Sequence, residues 1–279
     1  MLKVGIVGLG LIGGSLARAY SESGEAEVFG YDKNQSTQEF AQIAGAINAP
    51  LTNENIPKCD LILVAVYPEA TVEYIKEHAA VFAKHTVIID CAGTKKRVCD
   101  EVFPIAKQYG FTFIGGHPMA GLQYSGFKYS RANLFKGAPM VIVPPTYDDI
   151  MLLQHIKDLL EPVGFGSFAV TTAEEHDRVI AFTSQLAHIV SNAYIKSPTA
   201  SGHKGFSAGS YKDMTRVAWL DPNMWTELFF ENKENVVNEL DIIINSLNEY
   251  KEAIVENDRD RMYQLLLDGK IKKEETDGK

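Results

Sequence analysis

The chain has 279 residues, of which 46% are hydrophobic and 23% are charged, and its net charge is −9. This composition is that of a globular protein with a substantial core, and the acidic balance argues against a broad nucleic-acid-binding face. No apolar run approaches the roughly 20 residues that span a bilayer, and the chain opens on a strand instead of a signal peptide. Because Cys59, Cys91 and Cys99 lack metal-ligand spacing, we expect reduced packing residues in a cytoplasmic protein without a metal.

A glycine-rich turn follows the first predicted strand, which ends at Val7. Gly8, Gly10 and Gly13 have the spacing of the dinucleotide fingerprint, and apolar residues at helical spacing come next. The first glycine permits a tight turn, the second lets a pyrophosphate approach the backbone, and the third lets the helix lie close to the strand. The start of that helix offers unpaired N–H groups to the phosphates. The predicted cofactor-binding residues of the turn are Gly8, Leu9, Gly10, Leu11, Ile12 and Gly13.

An acidic residue ends the second predicted strand, which covers residues 27–32. Asp32 lies at about the distance from the fingerprint at which a carboxylate holds the adenosine ribose hydroxyls. A carboxylate there repels a 2′-phosphate, so we expect NAD in preference to NADP, with some tolerance for NADP from the adjacent Lys33. The alternative is an ordinary βαβ unit with a surface aspartate.

Strands and helices alternate through the first part of the chain, which predicts an α/β fold with a doubly wound, Rossmann-type sheet over residues 1–172. Val66 and Pro68, after the third strand, are expected to form a wall of the cofactor cleft. Further strands are predicted at 60–66, 86–90, 111–115, 140–143 and 166–170, and helices at 37–46, 70–82, 95–109 and 147–160.

Helices alone are predicted after Val170, so residues 173–279 are expected to form an all-α domain for substrate binding and dimerisation. Thr172 and Glu175 form a capping box at the start of a long helix. A second long helix is expected from Pro222, and its apolar positions 236, 240, 243, 247, 250 and 254 form a narrow seam. The seam indicates core packing, a homodimer interface, or both. The charged segment 270–279 is expected to be disordered.

His117 is the strongest candidate for a catalytic residue. It follows a strand and two glycines, and an imidazole can accept a proton from a hydroxyl as hydride leaves the same carbon. The alternative is a histidine that is hydrogen-bonded in a tight loop. His188, in mid-helix among apolar residues, is either a satisfied core residue or a cleft group, and His176 in the first helical turn has a weaker signal.

Three charged residues, Lys212, Asp213 and Arg216, lie within two turns of a possible helix. The aspartate and the arginine have the i,i+3 spacing of a helical ion pair. Such a pair is commonly a solvated salt bridge. Its functional alternative is a guanidinium that the carboxylate orients for two-pronged binding of a substrate carboxylate.

Four sequence blocks resemble the prephenate dehydrogenase family over nearly the full length of the chain. They are residues 8–15; 115–121 with 125–126 and 133–135; 184–188; and 212–216 with Asp221, Pro222, Met224 and Trp225. The second and fourth blocks are the most specific. The third departs from the usual Ser-His-Leu-Pro-His pattern, because Gln185 and Ala187 replace the first histidine and the proline.

The resemblance implies NAD-dependent oxidative decarboxylation of prephenate to 4-hydroxyphenylpyruvate in tyrosine biosynthesis. It implies that His117 accepts the proton of the ring hydroxyl and that Thr94 lies near that hydroxyl and the nicotinamide. It further implies a carboxylate clamp by Arg216. The other implied substrate contacts are Asp213, which orients the arginine, His188 and Lys212, which line the pocket, and Gln123 and Trp225 at its mouth.

Three other functions are compatible with parts of this pattern. The first is an arogenate, or cyclohexadienyl, dehydrogenase, in which an amino acid side chain replaces the pyruvyl group. The second is another two-domain dehydrogenase, such as a β-hydroxyacid dehydrogenase or an imine reductase, against which the His117 block argues. The third is a dinucleotide-sensing protein without turnover. We expect no regulatory domain after the helices, so inhibition by tyrosine, where it occurs, is expected at the active site.

Overall fold

A computed structural model describes residues 1–278 of the chain. Its eight strands form one sheet in the order β3-β2-β1-β4-β5-β6-β7-β8. The strands are β1 (Leu2–Val7), β2 (Ala26–Tyr31), β3 (Ala49–Pro50), β4 (Leu61–Val64), β5 (Val87–Asp90), β6 (Thr112–Pro118), β7 (Pro139–Val143) and β8 (Ser167–Val170). The sequence did not predict the two-residue strand β3, which extends one edge.

Five helices connect the strands, and six follow the sheet. The connecting helices are α1 (Leu11–Ser23), α2 (Gln35–Ile43), α3 (Pro68–His78), α4 (Lys96–Tyr109) and α5 (Ile150–Leu160). The later helices are α6 (Ala173–Ile180), α7 (Ala187–Ile195), α8 (Gly209–Thr215), α9 (Pro222–Glu231), α10 (Lys233–Val255) and α11 (Arg259–Asp277). No helix among residues 1–278 combines the length and the apolar character that crossing a membrane requires.

Both faces of the sheet are buried, as the predicted doubly wound fold requires. Leu61 and Leu63 of β4 belong to one apolar cluster, which includes side chains of α1 and α5. Ile62 and Val64 of the same strand belong to a second cluster, with side chains of α3 and α4. Alternate side chains of a strand point to opposite faces, so a strand covered by helices on both sides needs a continuous apolar run.

The end of β6 differs from the prediction in two ways. Its partner β7 runs antiparallel to it, because the segment between them lacks the long helix that a parallel crossover needs. The strand also continues beyond the predicted Gly115 to Pro118, since pairing with β7 extends it. His117 therefore lies within the strand, opposite Val141, and its backbone is held by the sheet.

The helices after the sheet are more interrupted than predicted. The helix that begins at Ala173 contains a π-helical turn at Ala181–Leu186 before it continues as α7. The helix that begins at Pro222 is broken at Asn232, which leaves helical geometry with φ −114° and ψ 30°. The Asn232 side chain donates hydrogen bonds to the Asp177 carbonyl oxygen and to Gln185 Oε1, and these bonds favour the break.

The chain divides into two compact units, Met1–Asn232 and a second that begins at Lys233. In the second unit, α10 and α11 contact each other, and the Tyr250 hydroxyl donates to the Leu265 carbonyl oxygen. Leu247 and Ile254 of the predicted seam remain 59% and 66% exposed. The expectation of a disordered tail is wrong as far as Asp277, because α11 continues there with ion pairs three or four residues apart. Lys279 lies outside the described residues.

Candidate active site

The predicted cofactor and catalytic residues lie at the carboxyl ends of neighbouring strands. Gly8 follows β1, Asp32 follows β2, Val66 comes shortly after β4, Thr94 lies between β5 and α4, and His117 is near the end of β6. The strand order reverses direction between β1 and β4. Ligands of open α/β sheets bind in the crevice at such a point, so the fold brings these residues to one binding edge.

The glycine turn has the shape that a dinucleotide needs. Gly8 has φ +85°, and a Cβ atom there would lie 2.5 Å from Val66 Cγ1. A Cβ on Gly13 would lie 1.8 Å from the Gly8 carbonyl oxygen, whereas one on Gly10 would meet nothing within 4 Å. Two glycines are therefore required by packing, and Gly10 borders open space. Leu11 starts α1 without a side-chain cap, which leaves the N–H groups of that helix start for a pyrophosphate.

Asp32 has a fixed carboxylate beside this turn. Its Oδ2 accepts a hydrogen bond from the Leu9 amide and its Oδ1 accepts one from the Asn34 amide, both at 2.8 Å. The side chain remains partly exposed, so the carboxylate has room for ribose hydroxyls. On the other side, Pro68 begins α3 and is buried, and Val66 lies beside the turn; their place in the wall of a cofactor cleft stays a prediction. These residues fit a bound NAD.

A buried ion pair, which was not predicted, fixes the loop that contains Thr94. Lys95 Nζ donates to Asp90 Oδ2, and both side chains are fully buried. Asp90 Oδ1 also accepts a hydrogen bond from the Gly116 amide at 3.0 Å, which ties β5 to the residue before His117. Thr94 Oγ1 is buried and has no hydrogen-bond partner among residues 1–278. Buried hydroxyls without a partner are rare, so this atom is available to a ligand.

His117 is the first member of a row of three polar side chains. Its Nδ1 lies 2.9 Å from His176 Nε2, and His176 Nδ1 lies 2.7 Å from Asp177 Oδ1. Burial is the main cause that lowers the pKa of His117 well below its ordinary value, and His176 and Lys95 lower it further. The imidazole is therefore neutral near pH 7, as a proton acceptor must be. The adjacent aspartate was the feature of the sequence that pointed to His176. The capping box explained the same segment in structural terms, so this feature was not recognised.

Gln185, where the family pattern has a histidine, serves packing between helices. Its Nε2 donates to the Leu228 carbonyl oxygen at 2.8 Å, and its Oε1 accepts a hydrogen bond from Asn232 at 2.6 Å. Leu228 in turn packs on Gly93, where an added Cβ would lie 3.2 Å from it. The buried glutamine thus helps to hold α9 against the loop that contains Thr94.

His188 and Trp225 contact each other on the helical side of the site. Their ring centroids are 3.8 Å apart, and His188 Nδ1 is 2.9 Å from the Val217 carbonyl oxygen. Burial lowers the pKa of His188, although the bond to Val217 opposes this shift. Both rings line an open cavity of about 310 Å³. His188 is therefore a half-buried residue at the edge of a cavity, and its part in substrate binding stays a prediction.

Arg216 lies next to Val217 and is exposed, as are Lys212, Asp213 and Gln123. The expected pairing of Asp213 with Arg216 is not formed: no ion pair of either residue is found among residues 1–278. The physical reason is that Thr215, which lies between the two residues, has φ −106° and ψ −7°, so the regular α-helical arrangement of side chains is lost there. The guanidinium is left available to an anionic ligand.

The fold and the glycine turn together indicate a Rossmann-type dehydrogenase, with His117 at the same edge of the sheet as the turn. The chain belongs to the prephenate dehydrogenase family. The family model of the nucleotide-binding domain matches residues 16–168, and that of the dimerization domain matches residues 172–268.

Individual relatives agree with this assignment. A prephenate dehydrogenase of Lactococcus lactis is 30% identical over 97% of this chain and 76% of its own length. A cyclohexadienyl dehydrogenase of Zymomonas mobilis is 29% identical over 94% of this chain and 91% of its own length. The crystal structure of an Aquifex aeolicus prephenate dehydrogenase, in complex with hydroxyphenyl propionate and NAD⁺, matches with a TM-score of 0.82 and 30% identity, over 99% of both chains.

Proposed function

We propose that this protein catalyses the NAD-dependent oxidative decarboxylation of prephenate to 4-hydroxyphenylpyruvate, a step of tyrosine biosynthesis. The observation that carries the proposal is the position of His117, which the sheet holds at the binding edge beside His176 and whose pKa is lowered by burial. In the proposal it is the base that meets a hydroxyl beside the nicotinamide. The family assignment and the Aquifex complex with NAD⁺ support the choice of substrate and cofactor.

The chemistry needs one base, one hydride acceptor and one carboxylate clamp. His117 accepts the proton of the ring hydroxyl, and electron density from that oxygen expels the 4-hydrogen as hydride. NAD, when bound by the glycine turn and Asp32, supplies the hydride acceptor. Loss of the ring carboxylate as carbon dioxide then returns an electron pair through the ring to its oxygen, which takes back the proton from His117 and leaves the aromatic 4-hydroxyphenylpyruvate. The task of the protein is to align these groups and exclude competing reactions.

The substrate contacts form the second part of the proposal. The unpartnered Thr94 hydroxyl bonds to the ring hydroxyl or the nicotinamide, and the unpaired Arg216 binds a carboxylate in two-pronged fashion. His188 and Trp225 border the substrate through the cavity they line. Lys212, Asp213 and Gln123 are proposed lining residues, and Asp213 is not required to orient the arginine.

An assay of the full chain tests the reaction. Prephenate with NAD should generate reduced nicotinamide, followed by its absorbance, together with 4-hydroxyphenylpyruvate in equal amount. NADP in parallel measures cofactor preference. Binding of NAD without turnover of prephenate or arogenate would contradict the proposal and favour a dinucleotide-sensing protein.

Arogenate is the second candidate substrate, and the Zymomonas relative, a cyclohexadienyl dehydrogenase, favours keeping it. Arogenate and prephenate differ in the side chain opposite the ring hydroxyl, so His117 and Thr94 would act on both. The ratio of kcat/KM for the two compounds decides between them. A kcat/KM that is higher for arogenate than for prephenate would make arogenate the preferred substrate.

A homodimer formed through the C-terminal helices is the third part of the proposal. Exposed apolar side chains of α10 and α11, such as Ile244, Leu247 and Leu266, support it, as does the name of the matched dimerization domain. Light scattering should give twice the chain mass. Leu247→Glu should give the monomer mass, and a monomeric wild type would contradict the proposal.

A further inference from the structure

Two residues behind His117 have no role in the mechanism described so far. We propose that His176 and Asp177 are positioning residues: they hold His117 in the tautomer whose Nε2 has a free lone pair, and they stabilise the charge that forms when that atom takes a proton. This inference rests on the proposed function for its kinetic consequences. Its structural part, the tautomer, is independent of the substrate.

Asp177 is fixed as an acceptor by the start of α4. Its Oδ1 accepts a hydrogen bond from the Lys95 amide at 2.7 Å, and its Oδ2 accepts one from the Lys96 amide at 2.9 Å. A backbone amide can only donate, so both carboxylate oxygens of Asp177 act as acceptors. The hydrogen in the contact to His176 is therefore on Nδ1 of that histidine.

The order of donors then propagates to His117. A neutral imidazole has one donor and one acceptor nitrogen, so His176 Nε2 is an acceptor. His117 Nδ1 must donate to it across their 2.9 Å contact. The remaining nitrogen of His117, Nε2, is left without hydrogen and can accept the proton of a hydroxyl. A doubly protonated His176 would reverse this order, because its Nε2 would donate and His117 Nε2 would then carry the hydrogen.

The charges around the pair favour the productive order at neutral pH. Burial lowers the pKa of His176, the nearby Lys95 opposes a second positive charge, and the carboxylates of Asp177 and Asp90 raise the pKa of His176 only in part. The pKa of His117 is lowered by burial, His176 and Lys95. Both rings are thus neutral before the reaction.

The proton transfer balances within the row. The O–H bond of the substrate breaks and an Nε2–H bond forms on His117. The hydrogen between the two rings can then move from His117 Nδ1 to His176 Nε2, which brings the positive charge beside the Asp177 carboxylate. Partners of this kind typically change activity by about 10- to 100-fold when they are removed.

Substitution of His176 is the informative change, because Asp177 also caps α4 and its carbonyl oxygen holds Asn232. His176→Leu removes the acceptor and should lower kcat about 100-fold, with the KM values for NAD and prephenate within about twofold. His176→Gln offers an oxygen to His117 Nδ1 but cannot take the proton, so it should recover part of the loss. His78→Leu, at a partly buried histidine of α3, is the matched control and should keep kcat.

Nitrogen NMR of the histidine rings provides a readout that packing alone would not change. In wild-type protein without substrate, His117 should have hydrogen on Nδ1 and none on Nε2 at pH 7, and in His176→Leu the two tautomers should mix. Hydrogen on Nε2 of wild-type His117 would overturn the inference, as would an unchanged kcat in a folded His176→Leu. Failure of the wild type to oxidise prephenate would instead refute the proposed function and leave the NMR result as a test of the tautomer.

Discussion

The strand ends and the helices that face them position the candidate site residues in different ways. Gly8, Asp32 and Thr94 are placed by the backbone, because parallel strands bring their carboxyl ends to one edge of the sheet. The positions of His176 and Gln185 depend on which face of their helix packs on that edge. Chain order therefore determines the first group, whereas tertiary packing determines the second. Substitutions in the first group should impair the chemistry and cofactor binding. Substitutions in the second group should impair substrate binding and the alignment of the reacting groups.

The largest effect is expected at the strand end. His117→Asn should lower kcat by about 10²- to 10⁴-fold, the usual contribution of a general base. The asparagine amide can still donate to His176 Nε2, so the melting temperature and the dissociation constant for NAD should stay close to wild type. Steady-state kinetics, a thermal melt and a cofactor titration measure the three quantities.

The pH profile of the wild type gives the companion measurement. Burial lowers the pKa of His117, so the base is neutral and active at pH 7 and is lost only as pH falls through the lowered value. The acid limb of kcat/KM should thus lie below pH 6.5, the ordinary pKa of histidine. Retention of turnover in His117→Asn, or an acid limb above that pH, would assign the base to another group.

For Arg216, on the helical side, the expected effect is on substrate binding. Arg216→Ala should raise the KM for prephenate by about 10- to 100-fold, the range that the loss of a charged hydrogen-bonded contact produces. Arg216→Lys should recover only part of this, since an ammonium group lacks the two-pronged geometry. Arg178→Ala, at an exposed arginine paired with Glu175, is the control and should leave KM unchanged. An unaltered KM in Arg216→Ala would remove this residue from the substrate site.

The sequence predicted where the strand-end residues lie in the fold, and their roles stay predictions. The positions of the glycine turn, Asp32 and His117 needed only the alternation of strands and helices and the rule that ligands bind at carboxyl ends, whereas Thr94 was singled out through the family resemblance. The β6 end was the exception, because the antiparallel partner that extends the strand comes from later in the chain. Local pattern does not specify which distant strand will pair.

The helical part was predicted less well for a related reason. A role for His176 was only weakly indicated by the sequence, because its hydrogen-bonding partner lies 59 positions away along the chain. The buried Lys95 and its ion pair with Asp90 were missed since charged residues are usually exposed and only the folded loop brings them inside. The expected Asp213–Arg216 pair did not form because the spacing assumed a regular α-helix, whereas Thr215 between the two residues departs from α-helical dihedral angles.

Substitutions of two glycines in the same turn distinguish the effects of backbone packing from those of ligand binding. Gly10→Ala should leave the melting temperature unchanged, because an added Cβ meets nothing within 4 Å, but should raise the KM for NAD about tenfold by crowding the pyrophosphate. Gly13→Ala should instead lower the melting temperature, since its Cβ would lie 1.8 Å from the Gly8 carbonyl oxygen. Equal effects of the two variants on stability would contradict the packing difference, and an unchanged KM for NAD in Gly10→Ala would show that the open space there is not used by the cofactor.

The smallest effect concerns the choice between NAD and NADP. Asp32→Asn keeps an oxygen for the Leu9 amide but removes the negative charge that faces a 2′-phosphate. Two charges about 4 Å apart in water interact by about 1 kcal/mol, so the NADP-to-NAD ratio of kcat/KM should rise about fivefold. Lys33→Ala should shift the ratio in the opposite direction, because the exposed lysine attracts the extra phosphate. One variant removes a negative charge and the other removes a positive charge from the same surface. A shift of the ratio in the same direction in both would exclude electrostatics as the origin of cofactor preference and would assign the preference to the shape of the turn.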